Sequence, residues 1–554
     1  MLLASHALAH QHTLRSPVCI VGAGPAGIVL ALRLADAGTP VLLVESGLTR
    51  YAPRIQRAAE AVVDTRRHAP MNEATRRQLG GTSVLWGGRC VPFDPIDFEA
   101  REFVPHSGWP LRYAEVARYF DRACRYAGCG PGVFEAHRAL DATQRSIVPG
   151  LPDGDVRSST LERWASPANF ATAYRRTLED HPSITVLLGA TCVSIDCDDA
   201  DAVTGLTLKT RDGATLRATA ERYVIACGGL ESTRLLLHSD RRHPGGIGNH
   251  SGHLGRYYMG HPSGKIADVQ FSTPPAQTIY NFEQDPGGVY CRRRFTVSDS
   301  TQREHRLMNC ALWLDNPRLA DASHGNGVLS FAWLALATPG LNRLLAPKGI
   351  VAAVLGTPVP GAALGHLRNC LADAGAVARF VPRFAWQRYF AKRRIPGFFL
   401  GSESNRYALH FHAEQAPNPD SRVTLTAERD EYGMRRLAVD LRFTDDDARS
   451  VVGHHRLLDA HLRRHNCGRL IYKASDLEAA VLEQARDGFH QIGTARMAAR
   501  PADGVVDPDC RVHGVRNLYV CSSAVFPTSG QANPTLTLLA LALRLADHLT
   551  PALR

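Results

Sequence analysis

Among its 13 cysteines this chain has no Cys-x-x-Cys pair, and the count is odd. That excludes a disulfide framework, a zinc ribbon and an attached c-type haem, and a reducing cytoplasmic setting is the expectation. Long apolar runs are missing too. Val328–Ala337 and Gly349–Gly365 come nearest, but Pro339, Pro347, Pro358 and Pro360 break up the stretch, and a spanning helix requires about 18–20 apolar residues. No transmembrane segment is expected; the stretch reads as buried helices of an insert, with a lid or a docking surface for a membrane or partner as the sharper alternative. The start of the chain lacks a basic region and is interrupted by His6, His10 and His12, so a secretory signal is not expected. Net charge is +11, yet Arg292-Arg293-Arg294 and Lys392-Arg393-Arg394 stand without interleaved aromatics, which argues against nucleic acid as a partner. Repeats and low-complexity linkers are also missing. At 554 residues the chain exceeds one ordinary core, so two interleaved domains are expected.

What the chain does have begins at Val18. The apolar Val18-Cys19-Ile20-Val21 leads into Gly22-Ala23-Gly24-Pro25-Ala26-Gly27 and a helix-like pattern through Ile28, Ala31, Leu32 and Ala35. Strand, tight turn and helix in this order form a dinucleotide fingerprint: Gly22 permits the turn, Gly24 lets backbone approach a pyrophosphate, and Gly27 lets helix and strand pack closely. A second strand, Val41-Leu42-Leu43-Val44, ends in Glu45, placed to accept hydrogen bonds from a ribose. The following loop, Leu79 to Gly88, contains Gly80, Gly81, Thr82, Ser83, Trp86 and Gly87, and can wrap backbone donors around an anion or a flat ring.

Farther along, Ile184–Leu188, Cys192–Ile195, Val203–Thr210, Thr215–Thr219 and Tyr223–Ala226 read as a strand-rich meander, closed by Cys227-Gly228-Gly229 and a helix. Beyond residue 262 the signals become those of antiparallel strands: Asn405–Glu414 and Arg435–Phe443 alternate, and Ser421–Thr426 is β-rich. These predict a substrate-side sheet. His410 and His412 share one face of its first strand, a spacing that suits metal. No third ligand stands at readable spacing, so a packed or cavity-lining role is expected and no metal is assigned. The closing stretch holds His490-Gln491-Ile492-Gly493-Thr494, then Asn533-Pro534-Thr535 before an apolar helix. Asn533 is expected as N-cap and Pro534 as first helical residue, so a positive helix end faces whatever precedes it.

Taken together these motifs resemble the glucose-methanol-choline (GMC) oxidoreductase family. The likeness rests on Gly22–Gly27 with Glu45, the Gly80–Gly88 loop, Ser107-Gly108-Trp109-Pro110, Gly228–Ser232, Leu254–Pro262, Glu414–Val423, and the His490 and Asn533 motifs. It implies an α/β fold: a discontinuous Rossmann-like FAD-binding domain (16–105, 184–262, 480–550) interleaved with a substrate domain (263–479) on a mostly antiparallel sheet with helices. An apolar helical insert (327–395) and a helical connection and cap (106–183) complete it. It also implies that Ser523, Ala524, Pro534, Thr535 and the backbone of Cys192 join the glycines at FAD, and that Gln415, His410 and His412 lie on the substrate side. His490 would act as base and Asn533 would hold the substrate oxygen, so that an alcohol (sugar, polyol or hydroxylated metabolite) is oxidised by hydride transfer to FAD N5. Some family members attach FAD covalently through a histidine in the segment matching Ser83-Val84-Leu85-Trp86. Leu85 stands there, so a non-covalent flavin is expected. The alternatives are a lyase with a non-redox flavin and a catalytic subunit serving a separate cytochrome or quinone partner; the electron acceptor (oxygen, quinone or protein) is left open.

Overall fold

The computed structural model describes residues 1–550 apart from 142, 144, 145, 240, 347–350, 352, 353 and 356–361. Most of the Gly349–Gly365 run lies outside these described residues. The chain is α/β. Val18–Val21 and Val41–Glu45 are buried along their whole length, as strands covered on both faces must be. They pair in parallel, and the complete parallel sheet runs Leu2–Ala4, Ile184–Leu188, Val41–Glu45, Val18–Val21, Arg222–Ile225, Leu518–Val520. Chain segments about 500 residues apart thus become near neighbours, and open sheets of this kind bind ligands at the carboxyl ends of their strands. The helix Pro25–Asp36 and the closing helix Thr535–Leu549 bury their apolar residues in the same core.

Ile184–Leu188 joins this sheet instead of the meander, because its apolar side chains pack between Leu2–Ala4 and Val41–Glu45. The remaining meander strands, Ala190–Cys197, Val203–Thr210 and Thr215–Thr219, form a separate sheet with Thr13–Arg15.

A large antiparallel sheet runs Gly468–Tyr472, Ser263–Phe271, Arg406–Ala413, Cys310–Asp315, Tyr290–Val297, Val156–Trp164, Arg89–Cys90. The helix Asp445–Arg464 covers it, burying Val451, Leu458 and Leu462 against Phe411, Leu312 and Phe295. Within 106–183, expected as a helical connection and cap, Val156–Trp164 is a strand of this sheet. Its Glu162 and Arg163, buried on opposite faces, pair with Arg292 and Asp285 respectively, and charged residues on a covered strand hide the apolar pattern. The Arg292-Arg293-Arg294 cluster is equally internal: Arg293 pairs with Glu283 and Arg294 donates to Gln531. Arg422–Arg429 and Arg435–Asp440 leave the large sheet altogether and form a hairpin joined by Val62–Val63, because Val423, Leu437 and Val439 have their own core with Leu230 and Tyr258.

The insert forms Gly327–Ala337, Leu341–Leu345, Ala362–Ala372, Ala374–Ala385 and a π-helical turn, Trp386–Phe390. The expectation of buried helices fails. Within Gly327–Ala337 only the first four residues are buried, although a helix apolar on every side needs partners all round. Among the described residues no helix is long and apolar enough to cross a membrane.

Candidate active site

A cavity of about 510 Å3 extends from the glycine turn to His490 and Asn533. Gly22 holds φ of +106°, and a Cβ there would lie 2.5 Å from the Ala226 carbonyl oxygen. At Gly27 a Cβ would lie 1.9 Å from the Gly22 oxygen, so both glycines are required by backbone contact. The Gly80 N–H donates to Ala23 O at 2.8 Å, which folds the second glycine loop over the first. Ser83 Oγ accepts from Phe170 N–H at 3.0 Å, and Trp86 Nε1 donates to Ala168 O at 2.6 Å. The loop is therefore anchored from outside the cavity.

Glu45 is buried and accepts from Ala23 N–H at 2.9 Å and from Gly47 N–H at 2.7 Å. Burial pushes its carboxyl up, while those two bonds and Arg77 oppose the rise. Gly22, Gly24, Pro25, Ala26, Glu45, Gly81, Thr82, Ser83, Trp86, Gly87, Cys192, Ser523, Asn533, Pro534 and Thr535 line the cavity. Ala23, Gly27, Gly80 and Ala524 stand just behind its wall and shape the backbone. Arg76 and Arg77 also line it, and sequence reasoning did not single them out. Arg77 is held by Glu231 at 2.9 Å and by Thr191 at 3.1 Å, a cation beside the acid at the strand end. Backbone N–H groups at a helix start, a buried acid and arginines are the donor set a dinucleotide takes.

At the other end His490 Nε2 accepts from Asn533 Nδ2 at 3.0 Å, while His490 Nδ1 donates to Asp487 Oδ2 at 3.0 Å. The Asp487 bond fixes the tautomer, leaving the Nε2 lone pair turned to the cavity. Asp487 also accepts the N–H groups of His261, Phe489 and His490. Burial would raise its carboxyl, but His490 and His261 hold it well below the usual range. Asn533 does not cap the closing helix, contrary to expectation. Pro534 takes the cap position with no side-chain bond, and the helix begins at Thr535. The Asn533 carboxamide is turned away towards His490 instead, and its Oδ1 is buried without a partner among the described residues.

His412 comes to the same place from the large sheet: its ring meets His490 edge-on at 5.5 Å and stacks on His261 at 4.2 Å. Desolvation lowers the pKa of both His261 and His412, so two neutral rings stand beside His490. His261 is the third histidine that spacing did not reveal. Nitrogens of His261, His412 and His490 lie within 4.8 Å of one another. His412 Nδ1 donates to Gln531 O.

His410, in contrast, points to Ser263, Asp315 and the Trp313 ring. Gln415 is wholly interior, accepting from Gly260 N–H and donating to Arg442 O. Neither lines the cavity; alternation and motif membership place a residue on or beside a strand but do not show what lies beyond it.

A family model described as FAD dependent oxidoreductase matches residues 17–308, and one described as GMC oxidoreductase matches 417–542. Paromamine 6'-oxidase of Streptomyces fradiae is 26% identical, over 96% of this chain and 90% of that protein. The 2-methyl-1,2-propanediol dehydrogenase of Mycolicibacterium austroafricanum is 22% identical over 97% and 95%. In fold, the chain is similar to a formate oxidase (TM-score 0.54, 18% identity, 98% of this chain and 99% of that one) and to a fungal aryl-alcohol oxidase (TM-score 0.53, 14% identity, 98% and 100%). This chain belongs to the FAD-dependent oxidoreductases and, among them, to the GMC oxidoreductases.

Proposed function

We propose that the protein oxidises an alcohol to an aldehyde or ketone, with His490 as base and Asn533 as the group that holds the substrate oxygen. The observation that carries this reading is the His490–Asn533 contact of 3.0 Å at the end of the flavin cavity, with Asp487 behind it. A hydroxyl placed between the two side chains donates to His490 Nε2 and accepts from Asn533 Nδ2. His490 takes the hydroxyl proton, and the resulting electron density on oxygen drives hydride away from the carbinol carbon. FAD bound in the cradle supplies the acceptor for that hydride. Asp487, an anion behind Nδ1, balances the imidazolium as it forms. Pro534 and Thr535 bring the positive end of the closing helix to the cavity, where it favours negative charge.

A sugar or polyol hydroxyl is the substrate class we favour, because relatives aligned over nearly the whole chain are named for such compounds: paromamine 6'-oxidase and fructose dehydrogenase large subunit. FAD is held without a covalent bond in this reading, since Leu85 occupies the wall facing the cavity. Acid precipitation should then leave a yellow supernatant, and flavin retained in the washed pellet would contradict it.

The test of the function is an alcohol and sugar panel added under nitrogen. Bleaching of the flavin band by one hydroxylated compound supports the reading; turnover of a compound without any bleaching favours lyase chemistry. Readmission of oxygen, or addition of a quinone, then identifies the electron acceptor.

A further inference from the structure

Outside the flavin cavity, the most unusual surface belongs to the insert. Residues 327–395 hold nine lysines and arginines against the single acid Asp373, a net +8 of the chain's +11. The same segment exposes large apolar side chains that a water-facing helix does not need. On Ala362–Ala372, Leu364, Leu367 and Leu371 follow helical spacing and are 74%, 50% and 72% exposed, with exposed Arg368 between them. On Ala374–Ala385 and the π turn beyond it, Arg379, Arg383, Trp386 and Phe390 follow spacings of four, three and four; all are exposed, and the two rings stack at 5.7 Å.

The inner side of this second helix is already satisfied: Phe380 and Phe384 pack against Phe398. The outer stripe is therefore not a core face that has lost its partner. Among the described residues no carboxylate pairs with Arg368, Arg379, Arg383, Lys392 or Arg394. The arginines of the large sheet, in contrast, are paired internally.

We propose that this insert docks the enzyme on an anionic lipid surface, with Leu364, Leu367, Leu371, Trp386 and Phe390 entering the headgroup boundary and the arginines and lysines meeting lipid phosphates. Apolar side chains with interleaved cations are what a helix lying in the interface requires. Tryptophan suits that boundary, and long arginine stems let charge stay at headgroup level while the helix sinks. The charge decides the occupant: a second copy of this chain would set +8 against +8, whereas an anionic leaflet attracts each of these side chains.

The test is sedimentation of the intact flavoprotein with vesicles of phosphatidylcholine alone and of equal parts phosphatidylcholine and phosphatidylglycerol. Expected is pelleting with the mixed vesicles, release by raised salt, and little pelleting with the neutral ones. Trp386→Ser with Phe390→Ser, and separately Arg379→Glu with Arg383→Glu, should each lower partitioning by at least about tenfold. Flavin content and turnover of a dissolved substrate should stay at parent level, which shows that the variants are folded. No pelleting with either vesicle overturns the proposal, as does equal pelleting with both, or variants that pellet like the parent. So does a parent that self-associates through this face, with Trp386→Ser splitting the assembly and leaving vesicle binding unchanged.

Discussion

The glycine cradle and the imidazole cluster occupy two ends of one cavity and are built by opposite means. The cradle is backbone: Gly22, Gly24 and Gly27 stand within six residues, and what they provide is the absence of a side chain. The reacting end is side chain: His490, Asp487, Asn533, His261 and His412 come from four separate stretches of the chain. Substitution should therefore fail differently at the two ends. Gly27→Ala places a Cβ against the Gly22 oxygen, and we expect protein with little or no flavin, read from the ratio of flavin to protein absorbance. His490→Ala should keep its flavin while substrate-driven reduction slows by about 10²- to 10⁴-fold. An alanine at 490 that bleaches at the parent rate would remove His490 from the chemistry; one that lost its flavin would erase the distinction between the ends.

The same contrast explains what could be read before any coordinates. A local backbone feature is written in consecutive residues, so the Gly22–Gly27 turn, Glu45 and the Pro25–Asp36 helix were legible. Convergence over hundreds of residues is not written that way. His261 belongs to a recognisable stretch, Leu254–Pro262, but nothing within that stretch states that its ring will stack on His412. Asp487 was missed although a signal exists: an aspartate three residues before the candidate base, across Gly488, forms a tight turn that returns its carboxylate to His490. Gln415 and His410 stand apart from the cavity lining, and the sequence, which shows that a polar residue lies on or beside a strand, does not show what lies beyond its side chain. Val156–Trp164 was hidden by its own internal ion pairs. In the insert, apolar composition indicated helices correctly, but composition alone does not say which of them have partners.

A second group of imidazoles sharpens the comparison, since burial without a cavity should affect stability and leave the chemistry alone. His454 and His455, on the helix behind the large sheet, donate to Met308 O and Val451 O respectively, and desolvation depresses each from 6.5 to about 4. The unfolded chain binds those protons at higher pH than the folded one. Their stabilising contribution is complete above pH 6.5 and lost as pH falls through 4, at about 3 kcal/mol for each ring. Melting temperature should drop over this interval, and His454→Gln or His455→Gln should flatten the fall. A parent whose melting temperature stays level between these limits would show that the two rings are not held neutral.

Asp487 connects the two kinds of behaviour, because its buried carboxylate holds both the His490 ring and the His261 backbone without lining the cavity itself. Asp487→Asn removes the anion behind Nδ1 and allows the other tautomer, so flavin reduction should slow by about 10- to 100-fold. The effect should fall on kcat more than on KM, since the substrate's own contacts are kept. A change in KM alone would mean that the carboxylate shapes the pocket and does not position the base.

Asn533 gives the smallest expected effect and the finest discrimination. Loss of its single donor in Asn533→Ala removes one neutral hydrogen bond to the substrate oxygen, worth about tenfold in rate. Asn533→His returns a donor at the same place and should recover most of that factor. A helix cap makes a different prediction: removing it costs about 1 kcal/mol of stability and leaves the chemical step alone. Because the Asn533 side chain makes no cap bond and turns to His490 instead, the alanine variant should melt with the parent and react more slowly. An alanine variant that melts earlier and reacts at the parent rate would return Asn533 to the helix and leave His490 without a partner for the substrate oxygen.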